Sequence, residues 1–445
     1  MHEIDTLLDA RWIVPVEPEG VVLERHSLAL HGGRIVALCP QAEAHARFAP
    51  RQHLVLDRHA LLPGLVNAHT HAAMTLLRGL ADDLPLMRWL QEHIWPAEGR
   101  WVSEEFIRDG SRLAAAEMLR SGTTCFADMY FFPEVTARVV SAAGLRAVIG
   151  LIAIDFPTAW AASADEYLDK GLAVHDEFRH DPLIRTAFAP HAPYTVSDAP
   201  LERIRVLADE LDLPIHMHVH ETAHEVSEAL ARHGERPLAR LARLGLLTPS
   251  LVAVHMTQLE PAEIEQVAAA GVRVVHCPES NLKLASGFCP VAALDRAGAC
   301  VALGTDGAAS NNDLDLLGEL RSAALLAKAV AGDASALPAA RALTLATLHG
   351  ARAYGLDDEI GSLLPGKAAD VIAVDLGGLE AAPLYHPLSQ LVYALDRSRV
   401  SDAWVAGQHL LNGRRLTTLD EDEIVAAAQR WGVRIGAADR PGDGG

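Results

Sequence analysis

No stretch of this 445-residue chain holds the ~18 consecutive apolar residues that a membrane span needs. The start, Met1-His2-Glu3-Ile4-Asp5, lacks the basic opening of a signal peptide, which predicts a chain that is not exported. Cysteine is scarce. The five, Cys39, Cys125, Cys277, Cys289 and Cys300, are scattered with no C-x-x-C pair, so neither a disulfide framework nor a thiolate zinc site is expected. A reducing, cytoplasmic setting fits that usage. Positive charge is also short: 38 Lys and Arg against 58 Asp and Glu leave a net charge of −20. Phosphate binding needs a basic patch, so a nucleic-acid partner is not expected. No internal repeat or low-complexity segment is visible.

What is present reads as an ordinary globular chain, 50% apolar and 22% charged, long enough for one large domain and a lesser one. After residue 62, short apolar runs alternate with helical stretches. The runs are Leu65–Ala68, Thr123–Met129, Arg146–Ile152, Ile184–Ala189, Ile215–Val219, Leu251–His255, Val272–His276 and Cys300–Gly304. Glu104–Ser121, Leu201–Leu211, Glu225–Leu241 and Pro261–Ala270 have helical period. Eight strands, each followed by a helix, predict a (β/α)8 TIM barrel in the α/β class. A doubly wound open sheet is the alternative, but no G-x-G-x-x-G opens a helix.

The ends of the chain look different. Arg11–Val16, Ser27–His31 and Arg34–Leu38 read as strands, with Gly32-Gly33 a hairpin turn and no helical period before residue 62. Asp370–Asp375, Val400–Ala406 and Leu410–Leu416 read likewise near the other end. Neither piece can close a core alone, so both should join in one small composite β-sandwich. The expected division is 1–62 and 362–419 for the sandwich, 63–361 for the barrel, and 420–445 for a short terminal helix and a Gly/Asp/Arg tail.

In such barrels chemistry collects at the C-terminal ends of the strands. Those ends carry His69 and His71, His191, His218 with Glu221, His255, His276 and Asp306. Residues two apart in a strand share a face, so His69 and His71 can chelate one first-row metal. Alone, His-x-His would favour slightly the plainer reading of two satisfied polar residues near a strand end. A packed barrel, however, has no reason to place imidazoles at nearly every strand end. By period two, His216, His218 and His220 share a face, and spacing does not choose among them.

The stretches Pro63-Gly-Leu-Val-Asn-Ala-His-Thr-His71, Leu77-Arg-Gly-Leu-Ala-Asp-Asp83, Ala127-Asp-Met-Tyr-Phe131, Pro190-His-Ala-Pro-Tyr194, His218-Val-His-Glu-Thr222, Ser280-Asn-Leu-Lys-Leu284 and Gly304-Thr-Asp-Gly-Ala-Ala-Ser-Asn-Asn312 carry a resemblance. The chain resembles the metal-dependent amidohydrolases, and within them the 5′-methylthioadenosine/S-adenosylhomocysteine deaminases, over nearly its whole length. The resemblance implies one divalent metal on His69, His71, His218 and Asp306, zinc first, with iron known among relatives. The family pattern His-x-x-Glu selects His218. Some amidohydrolases hold two metals on a modified lysine. Lys170, Lys283, Lys328 and Lys367 are the only lysines, and none ends the fourth strand, so a single metal is expected. The H-x-E…P-C-x-x-C pattern of cytidine-deaminase-type zinc sites is absent.

The implied reaction is hydrolytic deamination of 5′-methylthioadenosine to 5′-methylthioinosine, with S-adenosylhomocysteine and adenosine as further substrates. The metal lowers the pKa of bound water from about 15.7 to about 7, giving a hydroxide nucleophile. Asp306 takes that water's proton and passes one to the leaving amine. His255 orients the hydroxide, and Glu221 protonates the ring nitrogen. A plainer role for Glu221 is a carboxylate complementing a helix dipole. Glu98 would hold the ribose hydroxyls, His191 the purine or ribose, and Ser310 the ligand's tail. Trp89 and Met74 would line the pocket, though core packing explains them about equally well. The resemblance further implies a homo-oligomer.

One departure stands out. Relatives that handle S-adenosylhomocysteine carry an arginine in the third-strand segment, where this chain reads Val148-Ile-Gly-Leu-Ile-Ala-Ile154. An apolar wall suits a methylthio group better than a zwitterion. Two rivals stand beside this reading. One is a related hydrolase of a free base or triazine, such as a guanine or cytosine deaminase or a chlorotriazine hydrolase. The other is a catalytically dead barrel, against which the intact ligand set argues.

Overall fold

The computed structural model describes residues 1–438, and the Gly/Asp/Arg tail expected at the end of 420–445 lies outside the described residues. Sixteen strands fall into two sheets. The first is built by both chain ends: β1 (His2–Ile13), β2 (Leu23–His31), β3 (Arg34–Pro40) and β4 (Phe48–Pro63), then β13 (Val371–Asp375), β14 (Val400–Val405), β15 (Gln408–Asn412) and β16 (Arg415–Leu416). The second holds β5 (Leu65–Thr70), β6 (Thr123–Asp128), β7 (Arg146–Ala153), β8 (Ile184–Pro190), β9 (Ile215–Val219), β10 (Leu251–His255), β11 (Arg273–His276) and β12 (Cys300–Leu303).

β5 to β12 pair in chain order, each parallel to the next. Strands such as β6 and β7 are buried along their whole length, which is why they read as continuous apolar runs rather than alternating ones. Helices follow each strand, among them Glu104–Arg120, Pro133–Ala143, Ala164–Phe178, Asp198–Leu211 and Leu316–Ala331. The barrel closes between its first and last strands just past β12. Asp306 N donates to His69 O at 3.0 Å, and the Asn67 side chain clasps Thr305 at 2.8 and 3.0 Å. Closure therefore sets two of the expected metal ligands side by side.

The terminal sheet runs β16-β15-β14-β13-β4-β1-β2-β3. It curls until its far strand meets the segment before β13: Ile35 N donates to Lys367 O at 2.9 Å and Gly366 N to Ile35 O at 2.8 Å. Gly33 is required there, because a Cβ on it would lie 2.8 Å from Ala406 O. Inside sit Leu8, Ile13, Leu28, Leu30, Leu61, Val371 and Trp404, contributed by both chain ends. Neither end could bury these residues alone.

Several local expectations change. A helix, Gln41–Arg47, stands where no helical period was read; it buries only Ala44, too little for a pattern. β4 was not foreseen, since much of its first half is exposed and carries charge. The run Glu225–Leu241 is two helices, Ala223–His233 and Pro237–Arg243, parted after Gly234 at φ +71°. Leu410–Leu416 is two strands turned at Gly413 and Arg414, both at positive φ. Asn412-Gly413 is a turn dipeptide, though the two loop residues are Gly413 and Arg414. The terminal helix, Glu421–Ala438, has 18 residues rather than a few turns. Its Trp431 is buried against Phe106 and donates to Asp109 Oδ2 at 3.0 Å. All five cysteines are unpaired. No helix among the described residues is long and apolar enough to cross a membrane.

Candidate metal centre and pocket

His69 lies near the end of β5 and His71 one residue beyond it, while Thr70 between them points away and donates to Ala127 O at 2.9 Å. On β9, His216 and His218 share the inward face. His218 reaches the mouth of the barrel. His216 packs one layer deeper, its Nε2 2.9 Å from His69 Nδ1. His220, at φ +54°, turns out of the strand, and its Nε2 accepts from Leu238 N at 3.2 Å. One donor atom each from His69, His71, His218 and Asp306 lie within 4.8 Å of one another. His276, at the end of β11, stays a neutral core imidazole, held down at about 3 by burial.

Proton placement shows what this cluster can hold. His71 Nδ1 donates to Met129 O at 2.6 Å and His218 Nδ1 to His191 O at 2.8 Å; a carbonyl only accepts, so both protons sit on Nδ1. Burial and neighbouring charge keep His218 well below the usual imidazole range, so its Nε2 is a bare lone pair. That lone pair faces His69 Nε2 at 3.1 Å. His71 and His69 Nε2 lie 3.2 and 3.3 Å from Asp306 Oδ1. Imidazole nitrogens gathered around one carboxylate in this way are the donor set a cation site needs. Burial disfavours a charged His71, yet Asp306 outweighs it and holds the imidazole up at about 9. A divalent ion exploits the same attraction. Three imidazoles and one carboxylate with outer partners on each ring fit such an ion.

The surroundings brace the cluster. Asp306 sits at φ +63°; its Oδ1 accepts from Gly307 N at 2.8 Å and its Oδ2 from Ser280 Oγ at 2.7 Å. Burial works against an ionised Asp306, but the hydrogen bonds and charges of His69 and His71 hold it well below the usual carboxylate range. His255, at φ +76°, donates from Nδ1 to Asn281 Oδ1 at 2.9 Å, which leaves Nε2 facing the cavity. Its Nε2 is 3.9 Å from Glu221 Oε2, too far for a hydrogen bond. Burial raises the Glu221 carboxyl, the direction an acid that must carry a proton requires.

Above the cluster opens a cavity of about 340 Å³. Met74, Trp89, Glu98, His191 and Ser310 all line it, as do Glu221 and His255. Glu98, half-buried, is pushed up to about 7 by its surroundings, and Tyr130 donates its hydroxyl proton to Glu98 Oε1 at 2.7 Å. Burial holds His191 near 3, so it acts as a neutral ring, its Nδ1 2.9 Å from Thr195 Oγ1. Ser310 Oγ is 3.1 Å from Ser280 Oγ. Ile152 and Ile154 supply an apolar wall together with Phe156. Sequence reasoning did not assign Tyr130 or Asn281. Both lie inside stretches that carry the family resemblance, which is the sequence signal that marks them.

Comparison with known proteins agrees with this geometry. A sequence profile of the amidohydrolase family matches residues 60–410. A 5-methylthioadenosine/S-adenosylhomocysteine deaminase of Teredinibacter turnerae is 54% identical over 434 residues, covering 98% of each chain. Among solved structures, an adenosine deaminase from Xanthomonas campestris with bound zinc is 58% identical. It superposes with a TM-score of 0.97, over 98% of this chain and 99% of that one. A zinc-bound atrazine chlorohydrolase of Arthrobacter aurescens, at 24% identity and a TM-score of 0.89 over 96% of this chain and 99% of that one, shares the fold.

Proposed function

We propose that this chain, which belongs to the amidohydrolase family, hydrolytically deaminates the adenine ring of 5′-methylthioadenosine and S-adenosylhomocysteine, with the methylthio nucleoside preferred. The observation that carries the reading is the joint lining of one cavity by the four-donor cluster, by Glu221 and His255, and by Glu98. A relative 54% identical over nearly the whole chain bears the name of that activity.

His69, His71, His218 and Asp306 would hold the metal, with zinc favoured by the donor set and by the zinc in the Xanthomonas campestris structure. When bound, the ion supplies the Lewis acidity that makes water a nucleophile near neutral pH. The chain's own groups do the rest. Glu221, its carboxyl raised by burial, delivers a proton to the ring nitrogen beside the carbon that bears the amine. That carbon becomes electrophilic. His255 Nε2 holds the attacking water, its ring fixed through Asn281. Asp306 takes the water's proton and hands one to the amine. The C–N bond breaks and ammonia departs, while the hydroxyl on that carbon becomes C=O and gives up its remaining proton, which restores Glu221 for the next turnover.

Substrate choice follows from the walls. Glu98, held at one oxygen by Tyr130, keeps its other oxygen for the ribose hydroxyls. His191, Trp89, Met74 and Ser310 enclose the nucleoside. Among the described residues no lysine or arginine lines the cavity to pair an amino-acid carboxylate, and Ile152 and Ile154 offer a surface for a methylthio group. A free base or triazine would leave Glu98 unmatched. The likeness to the atrazine chlorohydrolase supports the fold alone. A cytoplasmic homo-oligomer belongs to the same reading, in keeping with five unpaired cysteines.

The test is Glu221→Gln. The amide cannot give up a proton, so turnover should fall by about 10²–10⁴-fold while bound metal, read by elemental analysis, stays at one equivalent per chain. A near-normal kcat would reduce Glu221 to a carboxylate at a helix end.

A further inference from the structure

Glu221 faces the cavity with no hydrogen bond to its own carboxyl among the described residues; the nearest partner, His255 Nε2, is 3.9 Å away. The placement of this acid therefore depends on its backbone. That backbone turns sharply from β9 into the helix Ala223–His233, with His220 in the left-handed region at φ +54°.

Thr222-Ala-His-Glu225 has the sequence of a capping box, and Thr222 Oγ1 does accept from Glu225 N at 3.2 Å. In an ordinary box the glutamate reaches back to the capping residue's own amide. Here it reaches further. Glu225 Oε1 accepts from His220 N at 3.1 Å and Oε2 from Glu221 N at 2.7 Å. The carbonyl side of the turn is tied as well. Thr257 N donates to His220 O at 3.0 Å and Thr257 Oγ1 to Glu221 O at 2.7 Å. Glu225 and Thr257 are both buried, and neither lines the cavity.

We propose that Glu225, assisted by Thr257, is a positioning residue for the proton donor: it clamps the amides of residues 220 and 221 and so aims the Glu221 carboxyl at the substrate ring. The role rests on Glu221 being the acid. It explains why a buried carboxyl group stands behind the site without lining the cavity. In Glu225→Gln one of the two acceptors becomes an NH2 that opposes a backbone N–H.

The experiment is a double-mutant cycle on the metal-loaded full-length chain with 5′-methylthioadenosine. Glu225→Gln should lower kcat by about 10²-fold, the scale of a 1 Å misplacement, with KM and metal content little changed. Added to Glu221→Gln, it should cost little more, because the group it positions is already disabled. Thr257→Val, which keeps the backbone amide and loses the hydroxyl, should show a smaller loss with the same non-additivity. This variant decides the matter if Glu225→Gln does not fold. Losses that multiply in the double variant, or a kcat within twofold of the native value in both single variants, overturn the positioning role. A near-normal kcat in Glu221→Gln alone overturns the acid assignment itself, and the positioning role with it.

Discussion

At the scale of single residues, the site works by holding groups away from their solution behaviour. Glu98 shows the effect most plainly, its carboxyl raised from 4.5 to about 7 by burial, against the lowering effect of the Tyr130 hydroxyl. A raised acid favours its neutral form in the folded chain. The stability it contributes is complete below 4.5 and is lost as pH climbs through about 7. Glu98→Gln, neutral throughout, should therefore gain in Tm relative to the native chain between about pH 5 and about pH 8. Ribose binding runs the other way, since accepting from a diol needs the carboxylate. In the native chain KM for nucleosides should fall over the same range, and the variant should lack that limb. A Tm difference independent of pH would mean that Glu98 is ionised in the folded chain across the whole range.

At the scale of elements, ligand placement depends on close contact between strands. A Cβ added to Gly304 would stand 2.8 Å from His69 N and 2.9 Å from its Cβ. β5 is buried along its length and cannot retreat. Gly304→Ala should weaken metal binding by about 10- to 100-fold in a chelator competition, the usual scale for disturbing a ligand's support. Unchanged affinity would show that the seam yields. The barrel strands were legible in sequence because most are short apolar runs with a polar residue at or just past the C-terminal end, the all-apolar end of β7 being the exception. His69 and His71 were legible by period two, whereas His218 needed the family pattern, because the turn that sends His220 outward is made by Glu225 and Thr257. Tyr130 meets Glu98 across 32 residues and Asn281 meets His255 across 26, contacts between segments beside neighbouring strands that sequence spacing does not reveal. The helix Gln41–Arg47 and β4 stayed hidden for a simpler reason, since one buries almost nothing and the other is half in water.

At the scale of the whole molecule, two sheets from interleaved parts of the chain must stay in register. Arg146, at the start of β7, makes a buried pair with Asp370, just before β13, at 3.0 and 3.3 Å. Asp370 Oδ1 also accepts from Ala406 N at 2.8 Å. Asp370→Asn leaves the guanidinium without its counter-charge and should cost about 3–5 kcal/mol in urea unfolding. A loss below about 1 kcal/mol, the range of an exposed pair, would mean that the two units stay joined without it. The assembled barrel in turn presents one cavity in which the His69, His71, His218 and Asp306 cluster, Glu221 and Glu98 meet, the proposed metal site, acid and diol acceptor. The most direct test of that account is ammonia release by the metal-loaded enzyme from 5′-methylthioadenosine, S-adenosylhomocysteine, adenosine, adenine, guanine and a triazine, compared as kcat/KM. The account predicts 5′-methylthioadenosine first, the other two nucleosides slower, and the free bases and the triazine lower by about 10⁴-fold, the scale for a polar site that loses the hydroxyls it is built to bind. A free base or a triazine turned over faster than 5′-methylthioadenosine would contradict it.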